Sequence, residues 1–253
     1  MLDYLSDYFT AALNNGATCG NDAWALYTRA LGENDEQYIL LFLLAIGSIL
    51  AQGIHEFGHA WMADKLGDPQ PRKDGRVSLA PWAHFSPLGF LMIVASTLIG
   101  FPVGWGKALK TDPETYVVPR RTGIALVALA GPLMSLLGAV ILSVPARMLL
   151  AYLNENGGGL DEGVLIALIV TFVIMVFTLL ISVSLFVFNF LPLHPMDGAH
   201  ILASVLPHDL AVVYVRVMKR YGTMLFLGLL ASGILGDFLA PIILAIFQFL
   251  MGV

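Results

Sequence analysis

The sequence predicts an all-α polytopic membrane protein with about four transmembrane helices. Of its 253 residues, 58% are hydrophobic and only 12% are charged, whereas a soluble domain usually carries about 25% charged residues. The hydrophobic residues are gathered in runs of helix-forming length, and a bilayer is crossed by about 20 residues of helix. The single cysteine, Cys19, excludes an internal disulfide framework and a cysteine-rich metal site.

The chain divides into three regions. Residues 1–36 form a polar, acidic segment, residues 37–206 form the core, and residues 207–253 hold an amphipathic segment and a last transmembrane helix. The expected spans are 38–66, 123–153, 164–190 and 223–250. Another apolar stretch, 88–103, is too short for an ordinary span, so we expect it to be re-entrant or to lie at the membrane surface.

An HExxH motif, His55-Glu56-Phe57-Gly58-His59, lies inside the first expected span. The spacing places both imidazoles on one face of a helix, where they can bind one zinc ion with the intervening glutamate as general base. Ionisable groups inside a membrane are costly unless they are paired or bind a metal. The motif therefore predicts an intramembrane site with one zinc ion per chain.

The two histidines leave this site incomplete, because a catalytic zinc usually takes three protein ligands and keeps one position for water. Asp197 is the preferred third ligand, since it follows the break of a spanning helix and a carboxylate at membrane depth needs a partner. His84, His194 and His200 remain alternatives.

The distribution of charge predicts the orientation. Basic residues concentrate in three loops that should be cytoplasmic, 67–87, 104–122 and 216–220. The acidic N-terminus and the loop 154–163 should face outward. Two expected spans separate His59 from Asp197, so both residues lie toward the cytoplasmic side provided that 88–103 does not cross the membrane.

Three segments in order resemble the site-2 protease family of intramembrane zinc metallopeptidases. They are the stretch from Gly53 to Gly67 that contains HExxH, the motif Ala130-Gly131-Pro132, and the stretch from Asn189 to Gly198. The resemblance covers about residues 38–206 and is to a compact bacterial or archaeal type without a PDZ domain. One departure is Ser135, which stands where many members have asparagine.

The resemblance implies a role for each site residue. It implies His55, His59 and Asp197 as zinc ligands and Glu56 as catalytic base. It also suggests that Asn189 binds the substrate backbone or the oxyanion. The protein would then be an integral protein of a prokaryotic inner membrane, with its active site toward the cytoplasm.

The expected reaction is hydrolysis of peptide bonds within or near transmembrane segments. The substrate would be a transmembrane protein or a signal-peptide-like segment in lipid, and no nucleic-acid partner is expected. A substrate helix must unwind first, because its carbonyls are hydrogen-bonded internally. We expect a small β-hairpin near the active site, from 67–87 or from 104–110, to bind the unwound strand by its edge.

Two alternatives remain. One is a non-proteolytic scaffold of the same family, although such relatives should lose a ligand or the base. The other is a zinc or cation transporter, although transporters usually show internal repeats and several intramembrane carboxylates. Neither feature is visible in the sequence.

Overall fold

The computed structural model describes residues 36–98, 106–107 and 109–252. Within them, four helices are long and apolar enough to cross a membrane: Ile39–Lys65, Arg120–Gly159, Glu162–Asn189 and Ile234–Met251. The prediction of an all-α polytopic membrane protein is confirmed for this part of the chain. The expected N-terminal segment 1–36 lies outside the described residues except for its last position.

The α-helices follow one another with short connections. In chain order they are α1 (Glu36–Lys65), α2 (Gln70–Lys73), α3 (Pro81–His84), α4 (Pro87–Leu98), α5 (Arg120–Asn156), α6 (Glu162–Asn189), α7 (Asp197–Val205), α8 (His208–Val217), α9 (Thr223–Ala231) and α10 (Ile234–Met251). Single 3₁₀ turns lie at Pro113–Thr115 and Gly157–Gly159, and a π-helical turn at Met218–Gly222 joins α8 to α9.

The helices α1, α5 and α6 pack against one another and form the centre of the molecule, and α10 packs on α5 and α6. The inward face of α6 repeats at helical spacing and is almost inaccessible: Phe172, Val176, Leu179 and Val183. On α5, by contrast, one face is apolar but exposed: Leu137, Ile141, Val144 and Met148. In a membrane protein such a face contacts lipid.

The β-hairpin expected at 67–87 is wrong. This segment contains the short helices α2 and α3, and no strand occurs among the described residues. Prolines at 69, 71 and 81 cannot donate to a strand ladder. The loop is held instead by the buried carboxylate of Asp68, which accepts the amide hydrogens of Gln70 (2.8 Å) and Asp112 (2.7 Å). The other candidate, 104–110, lies partly outside the described residues.

Two further segments differ in detail from ordinary spans. The stretch 88–103 begins as α4, whose twelve residues extend about 18 Å, less than the hydrocarbon core of about 30 Å. The expected span 223–250 is two helices, α9 and α10. They are separated at Gly233, whose φ of +79° lies in the left-handed region that favours glycine.

Candidate metal centre

Three side chains from distant parts of the sequence meet at one point. His55 and His59 lie one turn apart on α1, and Asp197 is the first residue of α7, just after the break that ends α6. The Nε2 atoms of the histidines are 3.1 Å apart, and Asp197 Oδ2 lies 3.3 Å from each of them. Both imidazoles are buried, and the three donor atoms could hold a metal ion.

The hydrogen-bond partner of each Nδ1 atom indicates which imidazole nitrogen carries the proton. The Nδ1–H of His59 donates to the Val127 carbonyl at 2.7 Å, so its Nε2 keeps a lone pair. The hydroxyl of Ser135 donates to the Gly131 carbonyl (3.2 Å) and therefore accepts the Nδ1–H of His55 at 3.0 Å. Both Nε2 lone pairs then face the centre. Histidines that bind metals usually donate their other N–H in this way.

This set of atoms fits a zinc ion. Two lone pairs and the buried oxygen Asp197 Oδ2, which has no hydrogen-bond donor among the described residues, point at one another and repel unless a cation lies between them. Tetrahedral zinc with bonds of about 2.0–2.1 Å separates its ligand atoms by about 3.3 Å. The separations of 3.1 and 3.3 Å in the structure are close to that value.

Close approach of α1 and α5 makes this geometry possible. A Cβ atom on Gly131 would lie 2.3 Å from ring atoms of His59, and one on Gly58 would lie 2.5 Å from the Ala130 carbonyl oxygen. Real side chains do not tolerate such distances. The Ala130-Gly131-Pro132 motif therefore provides the space in which the His59 ring lies.

Glu56 lies between the two histidines in sequence and is held by two other side chains. Gln52, one turn earlier on α1, donates to its Oε1 at 3.4 Å. The guanidinium of Arg76 lies 3.4 Å from its Oε2. Both contacts are long, and the carboxylate side chain is 14% exposed.

The remaining candidates lie outside the group of three donors. His84 donates from Nε2 to the Ser78 carbonyl at 2.7 Å, and burial lowers the pKa of His84, which keeps it neutral. His194 contacts the Thr223 hydroxyl at 3.2 Å. His200 has an exposed side chain. Asn189, the last residue of α6, donates to the Leu185 carbonyl at 2.9 Å.

Arg76 contacts Glu56, and the sequence did not predict this contact. In the sequence Arg76 counted only as one of the basic residues of a cytoplasmic loop. Its partners are distant in sequence, so the pattern did not predict them.

Comparisons with known proteins agree with this geometry. The chain is 31% identical over 199 residues to YwhC of Bacillus subtilis, covering 76% of this chain and 82% of that protein. It is 29% identical over 176 residues to Rip2 of Mycobacterium tuberculosis, covering 68% of this chain and 59% of that protein. Each name designates a candidate zinc metalloprotease. No protein-family model and no solved structure matches. Zinc is thus the metal for this donor set.

Proposed function

Because this chain belongs to the site-2 protease family of zinc metalloproteases, we propose that it hydrolyses peptide bonds within or near the transmembrane segments of other proteins. His55, His59 and Asp197 hold one zinc ion, and Glu56 is the general base. One observation carries the proposal: three lone-pair donors converge at 3.1 and 3.3 Å, and two of them lie on a helix long enough to span a membrane.

The proposed reaction combines the chemistry of a zinc ion with the roles of four residues of the chain. A zinc ion held by the three ligand residues would supply a Lewis acid able to polarise a peptide carbonyl and activate water near neutral pH. Glu56 takes a proton from the attacking water and delivers it to the departing amine. Ser135 and Val127 keep the imidazoles oriented through their Nδ1 hydrogens. Asn189, at the end of α6, is proposed to contact the substrate backbone.

The position of the site along α1 indicates where cleavage occurs. His59 precedes the end of α1 at Lys65 by six residues, which is about 9 Å of helix. The loop beyond that end carries Arg72, Lys73 and Arg76, and the positive-inside rule places such loops in the cytoplasm. We therefore place the zinc within the bilayer of a prokaryotic inner membrane, toward its cytoplasmic side.

The substrate class follows from this placement. A segment that reaches the site from the bilayer is a transmembrane helix or a signal-peptide-like helix, and its scissile carbonyl becomes available only when the helix unwinds. The substrate is thus a single-span protein or a membrane-retained fragment that can unwind near its cytoplasmic end.

Glu56→Gln tests the proposal. The amide keeps the shape of the side chain but cannot accept a proton, so zinc should stay at one equivalent while cleavage of a membrane substrate falls by at least about 100-fold. The readouts are metal content of the purified protein and accumulation of single-span precursors in membranes. Asp64→Asn is the matched control, because this carboxylate lies on the same helix and its side chain pairs, among the described residues, with exposed Arg72. Full activity of Glu56→Gln contradicts the mechanism.

A further inference from the structure

Arg76 is a buried cation that joins three separate parts of the chain. Only 2% of the residue is exposed. Its Nη1 donates to the Ala83 carbonyl at 2.9 Å. Its Nη2 donates to the Lys107 carbonyl and lies 3.4 Å from Glu56 Oε2. One guanidinium therefore contacts α1, the helix α3 and the segment 106–107 together.

The segment 106–107 lies directly against Glu56. The amide of Lys107 donates to the His84 carbonyl at 2.9 Å, and its own carbonyl accepts from Arg76. A Cβ atom on Gly106 would lie 3.1 Å from Glu56 Cγ and Oε1. The carboxylate is thus enclosed by Gly106 on one side and by the guanidinium on another.

Burial of an arginine here needs a reason beyond stability. Moving a cation out of water costs on the order of several kcal/mol unless its charge is paired and its N–H donors have acceptors. The match at Arg76 is incomplete, because its Nε is buried without an acceptor among the described residues. An apolar residue would fill the same space at a lower cost in free energy. What the arginine adds is a planar guanidinium whose N–H groups reach Glu56 and Lys107 at once.

We propose that Arg76 is a positioning residue that holds the Glu56 carboxylate, and the segment 106–107 above it, in the arrangement required for proton transfer. The inference rests on the proposed role of Glu56 as base. Arg76 contacts none of the three zinc donors in the structure, so its loss should lower kcat and leave the metal bound. A lysine has a single ammonium nitrogen and therefore cannot reproduce the separate N–H groups of the guanidinium.

The test compares purified Arg76→Gln and Arg76→Lys with the native protein and with Glu56→Gln, using a reconstituted transmembrane peptide substrate. Misplacement of a catalytic group by about 1 Å costs about 100-fold. We therefore expect kcat to fall about 100-fold in Arg76→Gln and about 10-fold in Arg76→Lys, with KM changed less than about threefold. Zinc should remain at one equivalent in both variants.

Arg72→Gln is the matched control. Arg72 lies in the same loop and also pairs with a carboxylate of α1, with its Nη2 2.6 Å from Asp64 Oδ2. Arg72 itself is exposed and does not contact Glu56, so its loss should change kcat less than about twofold.

Three outcomes overturn the inference. They are a native kcat in Arg76→Gln, a loss of zinc that accounts for the loss of activity, and a rise in KM with kcat unchanged. If Arg76→Gln does not fold, Arg76→Lys decides, and a native kcat in that variant refutes the role of the guanidinium. Activity retained by Glu56→Gln would instead refute the proposed function itself.

Discussion

At the scale of single residues, the metal centre depends on atoms that bind no metal. The Nδ1 hydrogens of His55 and His59 are held by a serine hydroxyl and a backbone carbonyl. These two acceptors select the tautomers that aim both Nε2 lone pairs at Asp197. Ser135 fulfils this role although many family members have asparagine there, because a hydroxyl that donates to the Gly131 carbonyl can accept from an imidazole.

Ser135→Ala tests this tautomer selection. The alanine leaves the His55 Nδ1–H without an acceptor in a buried site, so zinc affinity should fall about 10- to 100-fold. Competition with a chromophoric chelator measures the change. Ser143→Ala is the control, because Ser143 lies on the same helix but donates only to the Val140 carbonyl (2.7 Å). Equal affinities in the two variants would show that Ser135 does not orient the ring.

At the scale of elements, α5 organises the site although none of the three donors lies on it. It provides Ser135 and Val127 for the two histidines. Near its start, Arg121 donates to the carbonyls of Ala203 and Leu206 at the end of α7, the helix that begins with Asp197. The helix therefore determines the distance between the HExxH motif and the third ligand.

Gly131→Ala tests the close approach of α1 and α5. The new methyl group would lie 2.3 Å from the His59 ring, so the ring must move and zinc content should fall well below one equivalent. Gly228→Ala on α9 is the control, because its methyl group would meet nothing within 4 Å. Zinc bound fully by Gly131→Ala would contradict the packing argument.

Arg121→Ala tests the connection between α5 and α7. Without the side chain, the end of α7 loses its donor, Asp197 is held less firmly, and zinc affinity should fall about 10-fold, as for other supporting contacts. The neighbouring Arg120→Ala removes only the exposed pair with Glu114 at 3.2 Å and should have almost no effect. Chelator competition on both variants distinguishes a specific tether from a general effect of charge.

At the scale of the whole molecule, the sequence predicted what depends on local pattern. Apolar runs predicted the spans formed by α1, α5 and α6, whereas in the expected span 223–250 only α10 is long enough to cross a membrane. The break after α6 suggested that Asp197 lies near the site. The pattern did not predict the structure of 67–87, because that loop is held by Asp68 and Arg76, whose partners Asp112 and Lys107 are 44 and 31 residues away. Contacts of this kind leave no periodic signal, and a hairpin was the wrong alternative.

The orientation of the molecule in the membrane also follows from the whole chain. Basic residues precede α5 and follow α1, whereas Glu155 near the end of α5, Asp161 in the connection and Glu162 at the start of α6 are acidic. The positive-inside rule then predicts that the ends of α1 and α7 lie near the cytoplasm and the α5–α6 connection outside. If α5 and α6 cross in opposite directions and 88–103 does not cross, Asp197 is predicted to return to the side on which α1 ends.

Cysteine labelling tests this orientation. Cys19 is the only cysteine, so Cys19→Ser gives a background in which single cysteines at 110 and 158 can be introduced. Both positions are exposed, and a side chain at 158 would meet nothing within 4 Å. A membrane-impermeant maleimide should label Gly158→Cys in intact cells and Lys110→Cys only in inverted vesicles. Labelling of Lys110→Cys from outside would mean that the zinc faces the opposite side or that 88–103 crosses the membrane.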